Sequence, residues 1–242
     1  MNPSQLWLLI LCVLTMTFSS PSSFAAIQRE SLWLALTNQQ RFVEHKNWLF
    51  FQHGQLRVTN RPYPVRTLFG EGGIGYALNS TQQLWMGYYV VSSNTFEQNT
   101  SEHRLLQQFL WRAVDSSEYK SRVFLRTRLE ESTFSDRSQN LVTLRHSMAY
   151  EHLQFYQRYI NPLIFDEVFF HLNNPRYAST QFLSQNRLFL GVNLYQSKHA
   201  FWRIGYVNQY VLGNRDRKPE MNHIFAMTYA FGEIGVGLLE DS

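Results

Sequence analysis

Charged side chains recur at every second position along several segments of this chain. Arg126, Arg128 and Glu130, for example, alternate with Thr127 and Leu129. Successive side chains of a β-strand point to opposite faces, so this spacing puts charges on one face and apolar groups on the other. The recurring polar positions are Glu102, Arg104, Arg126, Arg128, Glu130, Arg145, Glu167 and Arg187. We expect them to form ion pairs inside a narrow barrel, because unpaired charge away from water is costly. Ligand binding or ion conduction is the alternative use of these charges.

Histidines and acids are the candidates for catalysis, but no Ser/His/acid set is identifiable. Of the eight histidines, the candidates are His53, His103, His146, His152, His171 and His223, and the candidate acids include Glu151 and Asp166. Neighbours on a strand, such as Glu102 and His103, point to opposite faces and do not cooperate directly. We therefore predict a protein that is not an enzyme, with a membrane-embedded hydrolase or acyltransferase as the alternative.

The segment Gly70-x-Gly72-x-x-Gly75 matches the residue pattern of a dinucleotide-binding fingerprint but lacks its structural context. The residues after it run into a turn and another strand, so no helix N-terminus follows to receive a pyrophosphate. The pattern favours a glycine-rich strand bend. The sequence also contains no Cys/His metal spacing, and we predict neither a cofactor nor a metal site.

Eleven segments show the composition and alternation of strands, separated by turn-rich stretches. They lie near Leu32–Phe42, Asn47–Arg57, Val65–Leu78, Leu84–Val91, Glu102–Val114, Tyr119–Phe134, Leu141–Glu151, Leu163–Leu172, Phe182–Tyr195, Phe201–Val211 and His223–Phe231. No apolar stretch after residue 26 reaches the length of a membrane-spanning helix, so insertion into a membrane would have to use strands.

Three features favour a barrel with its apolar face outside. Many of the segments are long enough to cross a bilayer at a tilt. Gly87, Gly191 and Gly205 fall on the polar face, which suits a crowded lumen. Aromatic residues are abundant, as interfacial girdles require, and include Trp111, Tyr119, Tyr150, Trp202, Tyr206 and Tyr229. Long connections at 92–101, 134–140, 173–181 and 212–220 also alternate with short ones. Because bacterial barrels have even strand numbers, we expect ten or twelve strands, with Gly232–Ser242 as a tail of open role.

The N-terminal segment has the character of a secretory signal. An apolar run from Leu6 to Met16 precedes small residues, and we predict cleavage after Ala25. The chain's one cysteine, Cys12, lies in this segment, so the mature protein should contain none. We expect residues 26–242 to form a single barrel domain. The net charge of +4 is dispersed along the chain, which argues against nucleic acid as a partner.

The same residues resemble those of a bacterial family catalogued as domain of unknown function 2490, thought to form outer-membrane barrels. The resemblance is carried by Trp33, Trp48, Gly75-Tyr76, Gly87-Tyr88, Glu102-His103-Arg104, Gln107-Gln108, Arg126-x-Arg128-x-Glu130, Arg145, Asp166-Glu167, Gln185-Asn186-Arg187, Gly191 and Gly205-Tyr206. It implies a fold and a membrane but no activity.

These observations predict an all-β, antiparallel up-and-down transmembrane barrel in the outer membrane of a Gram-negative bacterium. Its expected partners are outer-membrane lipids and, during biogenesis, the barrel-assembly machinery; its ligand is unknown. The first alternative is an outer-membrane enzyme that modifies lipid or lipopolysaccharide. The second is a soluble periplasmic barrel that binds an apolar ligand, which would carry the charged faces outside. A narrow channel would need a continuous water path past the charges.

Overall fold

The computed structural model describes residues 26–60, 65–94, 99–135, 139–153, 159–173, 182–213 and 218–232. The predicted signal peptide and the tail after Gly232 lie outside these residues. Eleven strands are present: β1 (Ile27–Arg41), β2 (Trp48–Thr59), β3 (Val65–Ala77), β4 (Gln82–Asn94), β5 (Asn99–Ser116), β6 (Ser121–Phe134), β7 (Leu141–His152), β8 (Ile160–His171), β9 (Leu183–Ser197), β10 (Ala200–Val211) and β11 (Glu220–Gly232). All eleven predicted strands are found, most of them longer than expected. Among the described residues, no helix is long and apolar enough to cross a membrane.

The strands form one closed barrel in which each strand pairs with its neighbours in the sequence. Consecutive strands are antiparallel, and β1 closes the ring by pairing in parallel with β11. At this seam Trp33 lies opposite Ala226, and Leu36 lies opposite Tyr229. The antiparallel up-and-down order is therefore confirmed except at the closure.

The described barrel has eleven strands, so the expectation of ten or twelve is wrong. With long connections outside and short turns in the periplasm, the sequence pattern left no place for the first strand, around Trp33. In an up-and-down meander with an odd number of strands, the first and last strands run in the same direction, so closure between them must be parallel. The parallel pairing with β11 therefore makes β1 part of the barrel.

Connections at the two ends of the barrel differ. We call the end of the barrel at which β1, β3, β5, β7 and β9 finish the turn end. We call the opposite end, at which β2, β4, β6, β8 and β10 finish, the loop end. The connections that the sequence predicted to be long all join strands that meet at the loop end.

Alternation along each strand sorts side chains into an outer apolar face and an inner face that is both polar and aromatic. Outward-facing side chains from strands all round the barrel are exposed, including Leu36, Leu68, Met86, Leu105, Leu129, Leu190 and Phe225. Inside, the buried apolar side chains of the described residues form four clusters, two of them larger than the others. One of these two contains Trp33, Leu163, Phe189, Val207 and Ile224, and the other contains Leu49, Ala77, Trp85 and Leu110. Charged side chains occupy much of the remaining interior.

Candidate functional site

The structure brings all eight predicted polar residues into the barrel interior. They come from strands β5 to β9, and they lie from the middle of the barrel towards the loop end. Glu130 and Glu167 are the most buried of them, at 3% and 2% exposure. Together with Glu71 they form a continuous set of contacts, which we call the ion-pair network. Its members are Glu71, Glu102, Arg104, Arg126, Arg128, Glu130, Arg145, Glu167 and Arg187.

Glu130 is one centre of the network. Its Oε2 accepts a hydrogen bond from Nη1 of Arg104 at 2.8 Å. Its Oε1 accepts one from Nη1 of Arg145 at 2.5 Å and a longer one from Arg128 at 3.5 Å. Three guanidinium groups from three strands therefore surround one carboxylate. Hydrogen bonds between ionised groups are the strong ones, so this arrangement offsets the cost of burying the charge.

Glu167 is the second centre. Nη2 of Arg126 donates to its Oε1 at 2.7 Å, and Nη2 of Arg145 contacts both oxygens at 2.9 and 3.0 Å. Nη1 of Arg187 completes the set at 3.4 Å from Oε2. Because Arg145 contacts both Glu167 and Glu130, it joins the two centres into a single network.

The network reaches across the barrel as well as along its wall. Nη2 of Arg128 lies 3.0 Å from Oε1 of Glu71, although β3 and β6 are separated by two strands. Both carboxylate oxygens of Glu102 accept hydrogen bonds from Arg104, at 2.7 and 3.0 Å. Sequence reasoning missed Glu71, which stands among glycines. Glu71 lies two positions after Phe69 and therefore shares its interior face, and this spacing was the signal that could have found it.

A smaller polar cluster, centred on Glu151, lies near the turn end. Glu151 is fully buried, and its Oε1 accepts hydrogen bonds from Asn161, Asn193 and the Tyr195 hydroxyl at 3.1, 2.8 and 3.1 Å. Nε of Arg203 donates to Asn193 at 3.0 Å. The acid considered for catalysis is thus bound by amides and a phenol in the interior.

Histidines considered for catalysis are dispersed over both faces. His103, His146 and His223 point outward, where Nδ1 of each contacts the hydroxyl of Tyr88, Thr127 and Tyr206 in turn. His53 points inward and contacts Thr37 at 2.8 Å. None of these four histidines is hydrogen-bonded to a serine or a carboxylate of a described residue. Glu102 and His103 do face opposite sides of β5, as the alternation predicted.

Asp166, the remaining acid, faces outward, and its Oδ1 accepts a hydrogen bond from Asn186 at 2.7 Å. It therefore lies on the opposite face of β8 from Glu167. No group of three or more metal-ligating side chains occurs among the described residues. The predictions of no catalysis, no cofactor and no metal stay predictions.

Glycines on the interior face make room for aromatic rings. Gly191 and Gly205 lie opposite each other on β9 and β10, and the ring of Phe189 rests on both. A Cβ atom on Gly205 would lie 2.5 Å from Cζ of Phe189. These glycines were predicted to face the lumen, and their role there is close packing. Gly70, Gly72 and Gly75 lie within β3, which is followed by a turn and β4, so the predicted strand context is correct.

A cavity of about 280 Å³ lies between the ion-pair network and the apolar interior. Arg57, Arg126 and Arg187 line its charged side, while Trp33, Phe165, Phe189 and Val207 line its apolar side. Sequence reasoning did not single out Arg57 or Arg203, because each is an isolated charge on its strand. The cavity and its cationic lining exist only once the barrel has closed.

These features define a class: a closed up-and-down β-barrel with an apolar outer face and an ion-paired interior. The family comparison agrees with the resemblance in the sequence. The model of the family described as "Protein of unknown function (DUF2490)" matches residues 30–218, and the chain belongs to this family. No curated protein and no solved structure gave a match.

Proposed function

We propose that this protein is a transmembrane β-barrel of the Gram-negative outer membrane whose lumen is occluded by the ion-pair network. The observation that carries the proposal is the inverted distribution of side chains. Apolar residues of the outer face, such as Met86 at 64% and Leu105 at 62% exposure, are left uncovered by the part of the chain that the structure describes. Large exposed apolar surfaces mark membrane or partner contacts, and here the surface encircles the barrel.

Aromatic side chains near the turn end support the same proposal. Six of them face outward there, namely Trp48, Tyr76, Trp111, Tyr150, Trp202 and Tyr229. Trp48 packs against Tyr76 with ring centroids 5.2 Å apart, and Trp202 packs against Tyr229 at 4.7 Å. A girdle of Trp and Tyr at the level of the lipid headgroups is typical of outer-membrane barrels.

Two hydrogen-bonded groups of polar residues on the outer face lie between the middle of the barrel and the loop end. His223 contacts Tyr206 and, through Nε2, Gln28 at 2.7 Å, while Tyr88 contacts His103. Hydrogen-bonded pairs with an apolar ring and a polar tip suit the second membrane interface. The loop end would then face the medium and the turn end the periplasm, as in other barrels of this kind.

The soluble periplasmic alternative requires charged faces on the outside, and the network lies inside. A channel requires a water path through the lumen. Arg128 and Glu71 meet across the barrel, and Arg145 joins Glu130 to Glu167, so the interior is crossed by ion pairs. We therefore expect the purified barrel to give no steady ion current in a planar bilayer. A sustained conductance would contradict the occluded lumen while leaving the membrane location intact.

Location is tested first by fractionation of the producing bacterium, with a gel of the outer-membrane fraction run before and after boiling. We expect recovery in that fraction, a shift in migration on boiling, and a mature N-terminus at Ala26 by mass spectrometry. Recovery in the soluble periplasmic fraction would contradict the proposal.

Direct contact with lipid is tested by a fluorescent label. The chain's one cysteine is Cys12, within the predicted signal, so the mature protein accepts a single new cysteine without background. A label on Leu190→Cys, in the outer face of β9, should be quenched by nitroxides on lipid acyl chains. The same label on Lys198→Cys, in the exposed turn 198–199, is the matched control and should not be quenched. Equal quenching at both positions would contradict the assignment of the outer face to lipid.

A further inference from the structure

The interior between the two rims holds more guanidinium groups than carboxylates. Among the described residues, the ion-pair network, the Glu151 cluster and the cavity wall together contain seven arginines: Arg57, Arg104, Arg126, Arg128, Arg145, Arg187 and Arg203. Five glutamates accompany them: Glu71, Glu102, Glu130, Glu151 and Glu167. Within these groups, no acid of a described residue neutralises the difference of two positive charges. Because uncompensated charge away from bulk water is costly, the interior favours an additional anion.

Arg57 is the clearest case of this excess positive charge. No carboxylate of a described residue lies within ion-pair distance of it. Its guanidinium carbon lies 3.9 Å from the ring centre of Trp33 and 3.8 Å from that of Phe69. Its Nε donates to Gln55 at 2.7 Å. The two rings and the amide hold the guanidinium in one orientation, and its terminal nitrogens hydrogen-bond to no described residue.

A second cation lies beside it. The guanidinium carbon of Arg187 is 5.3 Å from the ring centre of Trp33, so Arg57 and Arg187 approach the same indole at the cavity. The contact from Arg187 to Glu167, at 3.4 Å, is among the longest ion pairs of the network. An anion bound at Arg57 would therefore also gain from the charge of Arg187.

The wall next to these cations is apolar. Trp33, Leu163, Phe189 and Val207 form one buried cluster, and all four line the cavity. Phe165 stacks on Phe189 with ring centroids 4.8 Å apart and planes inclined by 4°. A small hydrated anion would leave this wall without a partner, whereas a neutral apolar molecule would leave Arg57 uncompensated.

We propose that the cavity binds a small amphipathic carboxylate, with its head group on Arg57 and its apolar body along Trp33, Phe189 and Val207. A guanidinium group presents two parallel N–H donors that match the two oxygens of a carboxylate. The volume of about 280 Å³ lies near the lower end of ligand pockets, which favours an aromatic or short aliphatic acid over a whole phospholipid. The inference concerns the interior alone, and it stands whether the barrel lies in a membrane or in solution.

The test is calorimetric titration of the full-length mature barrel, in an uncharged detergent, with naphthoate as the probe. Naphthylmethanol, which has the same rings without the charge, is the control ligand, and empty micelles correct for partitioning. We expect naphthoate to bind and naphthylmethanol to bind at least about tenfold more weakly, since charged hydrogen bonds contribute that much or more. Equal binding of the two ligands by the unaltered protein would overturn the proposal without any variant.

A matched pair of variants locates the head group. Arg57→Gln should weaken naphthoate binding about tenfold or more, whereas Arg66→Gln, at an exposed position on β3, should leave it unchanged. Gel migration before and after boiling verifies that both variants fold. Addition of chloride should lower naphthoate affinity only modestly. Complete displacement of naphthoate by an equal concentration of chloride, or equal naphthoate affinity of the two variants, would show that the site takes a simple inorganic anion or none. Either result would overturn the proposal.

Discussion

Arg145 and Glu167 form a bidentate ion pair between neighbouring strands, with Nη2 of the arginine 2.9 and 3.0 Å from the two carboxylate oxygens. The same arginine reaches Glu130 through Nη1 at 2.5 Å. Arg145 is therefore the member of the network on which both buried acids depend. Its loss would leave each of them with less compensation, and the consequences for stability are measurable.

We expect Arg145→Ala to lower the free energy of unfolding by about 3–5 kcal/mol, because removal of one partner leaves buried carboxylates uncompensated. The measurement is urea unfolding of the barrel in micelles or vesicles, followed by tryptophan fluorescence. Arg66→Ala, at an exposed arginine on β3, is the control and should change stability by no more than about 0.5 kcal/mol. Equal losses from the two variants would show that the network does not stabilise the fold.

Contact between Glu71 and Arg128 across the lumen is tested by a double-mutant cycle. We expect Glu71→Gln and Arg128→Gln to be non-additive, with a coupling energy of about 0.5–3 kcal/mol, because the two side chains lie 3.0 Å apart. Glu71→Gln combined with Arg29→Gln is the control cycle, since Arg29 pairs with Glu220 on another side of the barrel. Additivity within about 0.5 kcal/mol in the first cycle would contradict the cross-lumen contact.

Close packing of Phe189 on Gly205 predicts intolerance of even one methyl group. Gly205→Ala should destabilise the barrel by about 1–3 kcal/mol, because its Cβ would lie 2.5 Å from the Phe189 ring and 2.8 Å from Cα of Gly191. At Gly70 a Cβ meets no atom within 4 Å, so Gly70→Ala should be nearly neutral. Thermal unfolding of the two variants measures the difference. The same Cβ would lie 2.5 Å from the backbone oxygen of Leu190, so Phe189→Leu should restore the stability of Gly205→Ala only in part. Equal stability of Gly205→Ala and Gly70→Ala would contradict the close packing at Gly205.

Substitution of the outer face distinguishes lipid from water around the barrel. Leu190 lies in the middle of β9 with 48% of its surface exposed, and Leu190→Arg should cost about 2–4 kcal/mol if that face meets the bilayer core. Glu118→Arg, in the exposed turn 117–120, should have little effect. The measurement is unfolding from lipid vesicles. A Leu190→Arg variant as stable as the unaltered protein would contradict the membrane proposal and favour a water-soluble barrel.

Much of the barrel follows from local alternation. The face of each charged residue on β5 to β9 was predictable, because side chains two positions apart on a strand must share a face. The same reasoning placed Gly191 and Gly205 inside and Leu190 outside. Turn-rich segments marked where strands end, and their unequal lengths predicted which connections share an end of the barrel.

Whether the number of strands is even or odd was not predictable from local alternation. Nothing in the residues of β1 specifies that it pairs in parallel with β11, since alternation reads the same for either direction of a neighbour. The expectation of an even number of strands excluded a parallel closure between the first strand and the last. Backbone hydrogen bonds between two distant strands decided the point, and those form only when the sheet closes.

The set of strands, the side chains on each face and the ion-rich interior all follow from the residue pattern. Which charges meet is fixed only when the barrel closes. Glu71 reaches Arg128 across two intervening strands, and Arg57 contacts two aromatic rings but no acid of a described residue. Alternation is a local property of one strand, whereas contacts across a lumen depend on strand number, register and curvature together.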